Sequence, residues 1–169
     1  MKKGEGLMRI AAMCVLQYQD EQQNKFLLLN RNKAPFVGHY VPVGGKLEPH
    51  ESPVDAMKRE TYEETGIQVT QYKFCGILTE TSPIDYNWIC YIYLAQIKDI
   101  TPPFCDEGTL EWIDYNNILQ VPTPPSDWQV YKYIVENRPF VFSARYDEAM
   151  NMTELNEEIE GVSLLPTFK

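Results

Sequence analysis

The sequence predicts an α/β domain, and three observations predict it: two apolar runs near the start of the chain, one well-capped helix after a double glycine, and strand-like segments beyond that helix. A chain of 169 residues, 44% hydrophobic and 23% charged, has an ordinary globular composition and can bury one core. We expect a single domain over residues 1–169, with 158–169 as a loosely packed tail.

Arg9 to Leu16 is nearly all apolar and reads as a strand buried on both faces. Lys25 to Asn30 repeats the pattern after the polar stretch Asp20-Glu21-Gln22-Gln23-Asn24, so the two are expected to pair as a hairpin. Pro35 to Gly38 reads as loop, and Tyr40 to Val43 as a short strand running into Gly44-Gly45. The helix then spans Pro53 to Thr65: Ser52 is its N-cap, Asp55 stands three residues on, and Gly66 closes it. Further strands are expected over Tyr72 to Thr81, Asn87 to Ile97 and Leu110 to Asp114, with Ser82-Pro83-Ile84-Asp85 as turn chemistry. A second helix is expected from Ser126 to Asn137, with Trp128, Tyr131, Ile134 and Val135 on one face, and Phe140 to Tyr146 as a last strand. The tail from Glu157 shows no period.

A formal charge of −9 excludes non-specific attraction to nucleic acid or anionic membrane. The cysteines at 14, 75, 90 and 105 lack Cys-x-x-Cys spacing and read as buried, reduced thiols. Met1-Lys2-Lys3-Gly4 is basic, but the apolar run after it is short and has no small-residue cleavage pattern, and no run approaches membrane-spanning length. A cytoplasmic protein is expected.

In the first helix, Glu60, Glu63 and Glu64 fall at i, i+3 and i+4, so their carboxylates share one side. A glutamate-rich helix face is by itself an ordinary solvated surface. Its flanks argue otherwise here. Gly44-Gly45 can bring backbone close to a ligand, Glu51 stands at the helix entrance, and Arg59 can pair with Glu63 or with a loop carboxylate. Like charges at this spacing suit a hard cation, and Mg²⁺ takes carboxylate oxygens together with substrate phosphates.

The segment Gly45-x5-Glu51-x7-Arg59-Glu60-x2-Glu63-Glu64-x-Gly66-Ile67 resembles the Nudix box with every charged and glycine position filled. Thr61 departs from it, standing where the family usually has an aliphatic residue, on the packing stripe with Val54 and Met57. The resemblance implies an α/β/α sandwich with a mixed central sheet and the Nudix loop-helix-loop. It also implies a Mg²⁺-dependent enzyme, with Mn²⁺ as a substitute, that hydrolyses a phosphoanhydride bond by attack of a metal-activated water. Carried over residue by residue, Glu60 and Glu64 would be the main metal ligands, Glu63 a further ligand or base, and the Gly44 carbonyl an extra ligand. Arg59 and Glu51 would orient the cluster. Relatives often place a catalytic carboxylate in a later loop; Glu107 in Asp106-Glu107-Gly108 is the best match, with Asp106 and Glu111 as alternatives.

For the substrate, Gly108-Thr109-Leu110-Glu111-Trp112-Ile113, Ile118-Leu119-x2-Pro122-Thr123 and Pro139-Phe140-x-Phe142 resemble the MutT-type branch, which hydrolyses oxidised purine nucleoside triphosphates such as 8-oxo-dGTP to monophosphate and pyrophosphate. Asp127 is similar in position to acidic residues that read the purine edge there, whereas Val41 stands where some of these enzymes carry a base-reading Asn. Arg31 and Lys46 are candidate phosphate contacts, and Tyr40 and Trp88 are candidate stacking residues that could equally be core. Pro83, about sixteen residues past the box, keeps open an ADP-ribose or nucleoside-diphosphate-sugar pyrophosphatase. A non-enzymatic nucleotide-sensing module is the rival from another class. The expected partner is a small nucleotide, with no nucleic acid polymer and no membrane, on a monomer or homodimer.

Overall fold

The computed structural model describes residues 8–165. β1 (Arg9–Gln19) and β2 (Asn24–Arg31) form the predicted hairpin, closed by Asp20, whose Oδ1 accepts from the Gln22 and Gln23 amides at 2.8 and 2.7 Å. The two strands pair only from Leu16–Gln19 to Leu27–Asn24 and then diverge. β3 (Tyr40–Val41) fills the gap along β2, and β4 (Val43–Lys46) fills it along β1. The single strand expected over Tyr40 to Val43 is therefore two, broken at Pro42, which has no N–H to give to a ladder. This divergence opens the sheet and puts Gly44-Gly45 at the opening.

α1 (Pro53–Thr65) has the expected ends: the Ser52 hydroxyl accepts from the Asp55 amide at 3.2 Å, and the Gly66 amide donates to the Tyr62 carbonyl at 2.7 Å. β5 (Gln71–Thr81), β6 (Trp88–Gln96), β7 (Phe104–Cys105) and β8 (Gly108–Asp114) come after it. Then come α2 (Pro125–Val135), β9 (Phe140–Tyr146), β10 (Met152–Glu157) and β11 (Val162–Ser163). All strands join one sheet, whose main path runs β11-β10-β9-β5-β6-β1-β2-β8-β7. β1 with β6 and β5 with β9 are parallel and the other pairs antiparallel, so the sheet is mixed.

Period-2 alternation divides the core between the sheet's two faces. Ala11, Val15, Phe26 and Leu28 join Val130, Tyr131 and Tyr133 of α2, while Ala12, Cys14, Leu16, Leu27 and Leu29 join Ala56 and Met57 of α1. One helix on each face gives the expected α/β/α order.

Three further expectations need correction. Phe140 to Tyr146 is not the last strand, because β10 and β11 come after it; β10 is mostly polar and gave no period to read. In the segment expected to be a loose tail, Val162–Ser163 pairs with β10, and Leu164 and Leu165 pack against the α2-side core. The buried face of α2 is Ser126, Gln129, Val130, Tyr131 and Tyr133, rather than the stripe through Trp128, Ile134 and Val135. The reason is polar: Ser126 finds a buried hydrogen-bond acceptor inside, while the Trp128 indole N–H is satisfied at the side by the Leu119 carbonyl at 2.9 Å. All four cysteines are buried and free, as expected. No helix among the described residues is long and apolar enough to cross a membrane. The basic Met1-Lys2-Lys3-Gly4 and residues 166–169 of the tail lie outside the described residues.

Candidate active site and metal centre

Arg59 organises the mouth of α1. Its guanidinium grips Glu51 with two bonds, Nε to Oε1 at 2.7 Å and Nη2 to Oε2 at 2.9 Å. It also donates to Glu60 at 2.8 Å, to Glu63 at 3.3 Å and to the Lys46 carbonyl at 3.0 Å. Arg59 hydrogen bonds and the Glu48 amide hold the Glu51 carboxyl down at about 2, so it stays ionised. The loop, the helix and β4 are thereby fixed to one another.

The glycines decide how closely β4 can approach. Gly44 adopts φ 149°, and a Cβ there would run into the Ala12 carbonyl. A Cβ on Gly45 would come within 2.5 Å of the Glu60 carboxyl carbon. The Gly44 amide donates to the Glu64 carboxyl at 3.1 Å. Burial pushes Glu64 up to about 8, against the Gly44 hydrogen bond, and Glu107 and Glu60 beside it push in the same direction.

Glu60 and Glu64 thus stand against the backbone of Gly44-Gly45, and Glu107, brought in by the turn between β7 and β8, lies beside Glu64. Of the alternatives to Glu107, Glu111 is taken by the Tyr40 hydroxyl, and Asp106 faces solvent. Glu63 is 55% exposed and points to Arg59. As they stand, no three His, Cys, Asp or Glu side chains among the described residues are close enough together to hold an ion. The donor set nonetheless fits a hard divalent cation: all its atoms are oxygens, and an ion there would offset the burial and the neighbouring negative charges that raise Glu64. Glu60, Glu64 and the Gly44 carbonyl are the residues that would hold it.

A cavity of about 400 Å³ opens beside Gly44, Gly45, Lys46 and Glu107 and runs across the α2 face of the sheet. That volume suits a nucleotide-sized ligand. Its walls include Met13, Val41, Leu78, Ile92 and Val130, and its polar lining includes Glu80 and Asp127. Asp127 is only partly covered yet surrounded by protein. Burial, helped by the Glu80 charge and opposed by Arg31, pushes it well above the ordinary carboxylate range.

The substrate contacts expected from sequence fall differently. Trp88 and Lys46 line the cavity, with the Lys46 ammonium 5.8 Å from the Trp88 ring centre. Arg31 also lines it, but its guanidinium donates to the carbonyls of Lys33, Ala34 and Pro35 at 3.3, 3.3 and 2.9 Å. It shapes the loop that carries Phe36 into the cavity wall. Tyr40 does not line the cavity; its hydroxyl donates to Glu111, and its carbonyl accepts from Thr123 and Tyr131 at 3.1 and 3.0 Å. Sequence reading missed Glu80 and Tyr86. The inward register shared by Leu78 and Glu80 on β5 was the available signal.

The NUDIX domain family model matches residues 8–135. The uncharacterized Nudix hydrolase YvcI of Bacillus subtilis (strain 168) is 31% identical over 132 residues, covering 74% of this chain and 78% of the relative. Diphosphoinositol polyphosphate phosphohydrolase 2 of Homo sapiens is 26% identical over 117 residues, 67% of this chain and 61% of that protein's length. The crystal structure of the mutator MutT protein from Bacillus halodurans superposes with a TM-score of 0.77 at 25% identity, covering 89% of this chain and 98% of that one. With the box geometry in place and the family model covering three quarters of its length, this chain belongs to the Nudix family as a MutT-like hydrolase, a pyrophosphohydrolase.

Proposed function

We propose that this enzyme hydrolyses a purine nucleoside triphosphate, with oxidised purines such as 8-oxo-dGTP favoured, to the nucleoside monophosphate and pyrophosphate. Asp127 carries the reading. Its carboxyl lines the cavity, and burial beside Glu80 raises its pKa well above the ordinary carboxylate range, which favours the neutral form. A neutral carboxyl offers one O–H donor and one carbonyl acceptor side by side, the complement of a purine edge with an adjacent acceptor and N–H donor. Trp88, in the same lining, offers a face for stacking.

Nudix hydrolases generally use divalent metals. Glu60, Glu64 and the Gly44 carbonyl would hold a divalent ion, Mg²⁺ foremost with Mn²⁺ as a substitute, which would supply positive charge for the phosphate oxygens and for activation of the attacking water. The protein's own groups do the rest. Glu107 takes the proton of the attacking water at a carboxylate oxygen, Arg59 with Glu51 fixes Glu60, and Lys46 at the cavity mouth meets a phosphate. Glu63, tied to Arg59, supports that cluster.

Other substrates fit less well. A substrate as densely charged as a diphosphoinositol polyphosphate would meet Lys46 and an Arg31 already engaged by carbonyls, beside Glu80 and Glu107. Pro83, the basis of the ADP-ribose alternative, does not line the cavity and is accounted for by the turn in which the Ser82 hydroxyl donates to the Ile84 and Tyr86 carbonyls. The test is a panel of 8-oxo-dGTP, unmodified nucleoside triphosphates, ADP-ribose, a dinucleoside polyphosphate and a diphosphoinositol polyphosphate with Mg²⁺, products separated. We expect monophosphate and pyrophosphate from purines with kcat/KM about tenfold or more above pyrimidines. Turnover confined to another class, or binding without turnover as in a sensing module, would overturn the proposal.

A further inference from the structure

Glu80 on β5 is a carboxylate that the catalytic end does not use, although it lines the same cavity. It is 6% exposed and has no cationic hydrogen-bond partner. Instead it accepts from three hydroxyls: Ser126 at 2.7 Å and Tyr146 at 2.8 Å on one oxygen, Tyr86 at 3.1 Å on the other. The Tyr146 hydroxyl also lies 3.2 Å from the Ser126 oxygen. These donors come from the first turn of α2, from β9 and from the β5–β6 connection. With its oxygens so occupied, Glu80 is better placed to hold its neighbours than to bind a ligand itself.

Two of the three donors sit next to groups that face the cavity. Ser126 precedes Asp127 in the first turn of α2. Tyr86 meets Trp88 edge to face, with ring centres 6.4 Å apart, and meets Tyr146 in the same way at 5.9 Å.

We propose that Glu80 is a positioning residue for the base. Through Ser126 it sets where Asp127 stands, and through Tyr86 it sets Trp88, so one buried carboxylate fixes the group that reads the base's edge and the ring that stacks on its face. The proposal rests on the reading of this cavity as the base site. Its charge works in the same direction as its geometry, since a second negative group beside Asp127 favours the neutral, hydrogen-bond-donating carboxyl. The other groups that face Asp127 are Arg31 from β2, which opposes this, and Cys90 of β6, Tyr131 of α2, Tyr146 of β9 and Tyr86, all neutral at pH 7. β1 contributes only Ala11 and Met13 to the cavity.

A carboxylate that merely braces α2 against the sheet would affect stability and nothing else, so the test reads Asp127 and the ligand as well. The variants are Glu80→Gln, Ser126→Ala and Tyr86→Phe, with Asp127→Asn to assign the resonance in a carboxyl ¹³C NMR titration of the full chain. In Glu80→Gln we expect the Asp127 midpoint to fall and KM for the purine triphosphate to rise about tenfold while kcat moves less than about threefold. Ser126→Ala and Tyr86→Phe should each reproduce part of the KM rise. Adding Ser126→Ala to Glu80→Gln should produce little more, because both act on one path. A folded Glu80→Gln protein with an unshifted Asp127 midpoint and unchanged KM overturns the proposal. Should Glu80→Gln not fold, Ser126→Ala and Tyr86→Phe decide it: a raised KM at near wild-type melting temperature supports the proposal, and an unchanged KM overturns it. The titration needs no substrate. A shifted midpoint with a KM indifferent to the base would therefore uphold the link to Asp127 and reject the base site.

Discussion

Two acidic groups flank the same sheet and are compensated in opposite ways. On the α1 side, Glu51, Glu60 and Glu63 share one arginine, at 2.7 to 3.3 Å. On the α2 side, Glu80 is compensated by three neutral hydroxyls, and Asp127 stands beside it under Glu80's charge. A guanidinium favours ionised carboxylates and here fixes Glu60 where a cation would be held; burial next to another carboxylate favours the protonated form, which suits Asp127 to a base edge, whereas Glu64, raised in the same way, would become a ligand only with an ion beside it. The same side chain thus takes two chemical roles according to what stands next to it.

The largest effect should separate the two groups. Glu60→Gln and Glu64→Gln keep size and helix propensity but remove charge where the ion would bind, so kcat should fall on the order of 10²–10³-fold with little change in melting temperature. Asp127→Ala, which removes both the donor and the acceptor, should instead raise KM about tenfold and leave kcat within a few-fold. Steady-state kinetics at saturating Mg²⁺ reads both. Identical kinetic signatures at the two ends would remove the distinction, and wild-type rates in Glu60→Gln or Glu64→Gln would remove that residue from the metal centre.

Next in size is the distal carboxylate. Glu107→Gln should cost about 10²-fold in kcat, as expected when a general base is lost. Asp106→Asn and Glu111→Gln should stay near wild type, because Asp106 faces solvent and Glu111 accepts from Tyr40. The reverse pattern would move the base to one of those two.

The α1 group was readable in the sequence because its members are close in the chain. Glu60, Glu63 and Glu64 fall on one helix face by periodicity, Ser52 and Gly66 mark the ends, and Gly44-Gly45 supplies the close approach. The α2 group was not, since the partners of Glu80 lie 6, 46 and 66 residues further along and only the sheet order brings them together. Asp127 was visible as an acid at a helix start, but nothing in its neighbours along the chain shows that Glu80 stands beside it. Tyr40 misled for the same reason: its neighbours in sequence do not reveal that Glu111, on the facing side of β2, takes its hydroxyl. β10 was invisible because MTELNE buries only Leu155 and Glu157.

A smaller effect concerns Arg59 and pH. The Glu51 carboxyl near 2 lies below its unfolded value of about 4.3, so the folded state binds fewer protons in that range. Its contribution to stability is therefore complete above about pH 4.5 and is lost as pH falls toward 2. Arg59→Ala should be less stable than wild type at pH 7 but lose less between pH 4.5 and pH 2, a difference that thermal melts across that window would show. Parallel melting curves would mean that Arg59 does not hold Glu51 ionised. Arg59→Lys, which cannot make the two-bond grip, should cost about 10- to 100-fold in activity or metal affinity.

The smallest effect is a gain. Thr61 is fully buried on the inner stripe of α1, and its hydroxyl, facing the Cys14 thiol, has no hydrogen bond of good geometry. It stands where relatives usually carry an aliphatic side chain. Thr61→Val keeps the β-branched shape and nearly the same helix propensity while removing the buried O–H. The bond from the Thr65 hydroxyl survives, because it goes to the Thr61 backbone carbonyl at 2.6 Å. Relief of an unsatisfied buried hydroxyl should stabilise the fold by about 1 kcal/mol, or roughly 2–4 °C in melting temperature for a chain of this size. Activity should hold, since the ligands project from a different side of the helix. A lower melting temperature in Thr61→Val would mean that the thiol of Cys14 does satisfy this hydroxyl, and Cys14→Ala should then destabilise the wild-type chain more than the Thr61→Val variant.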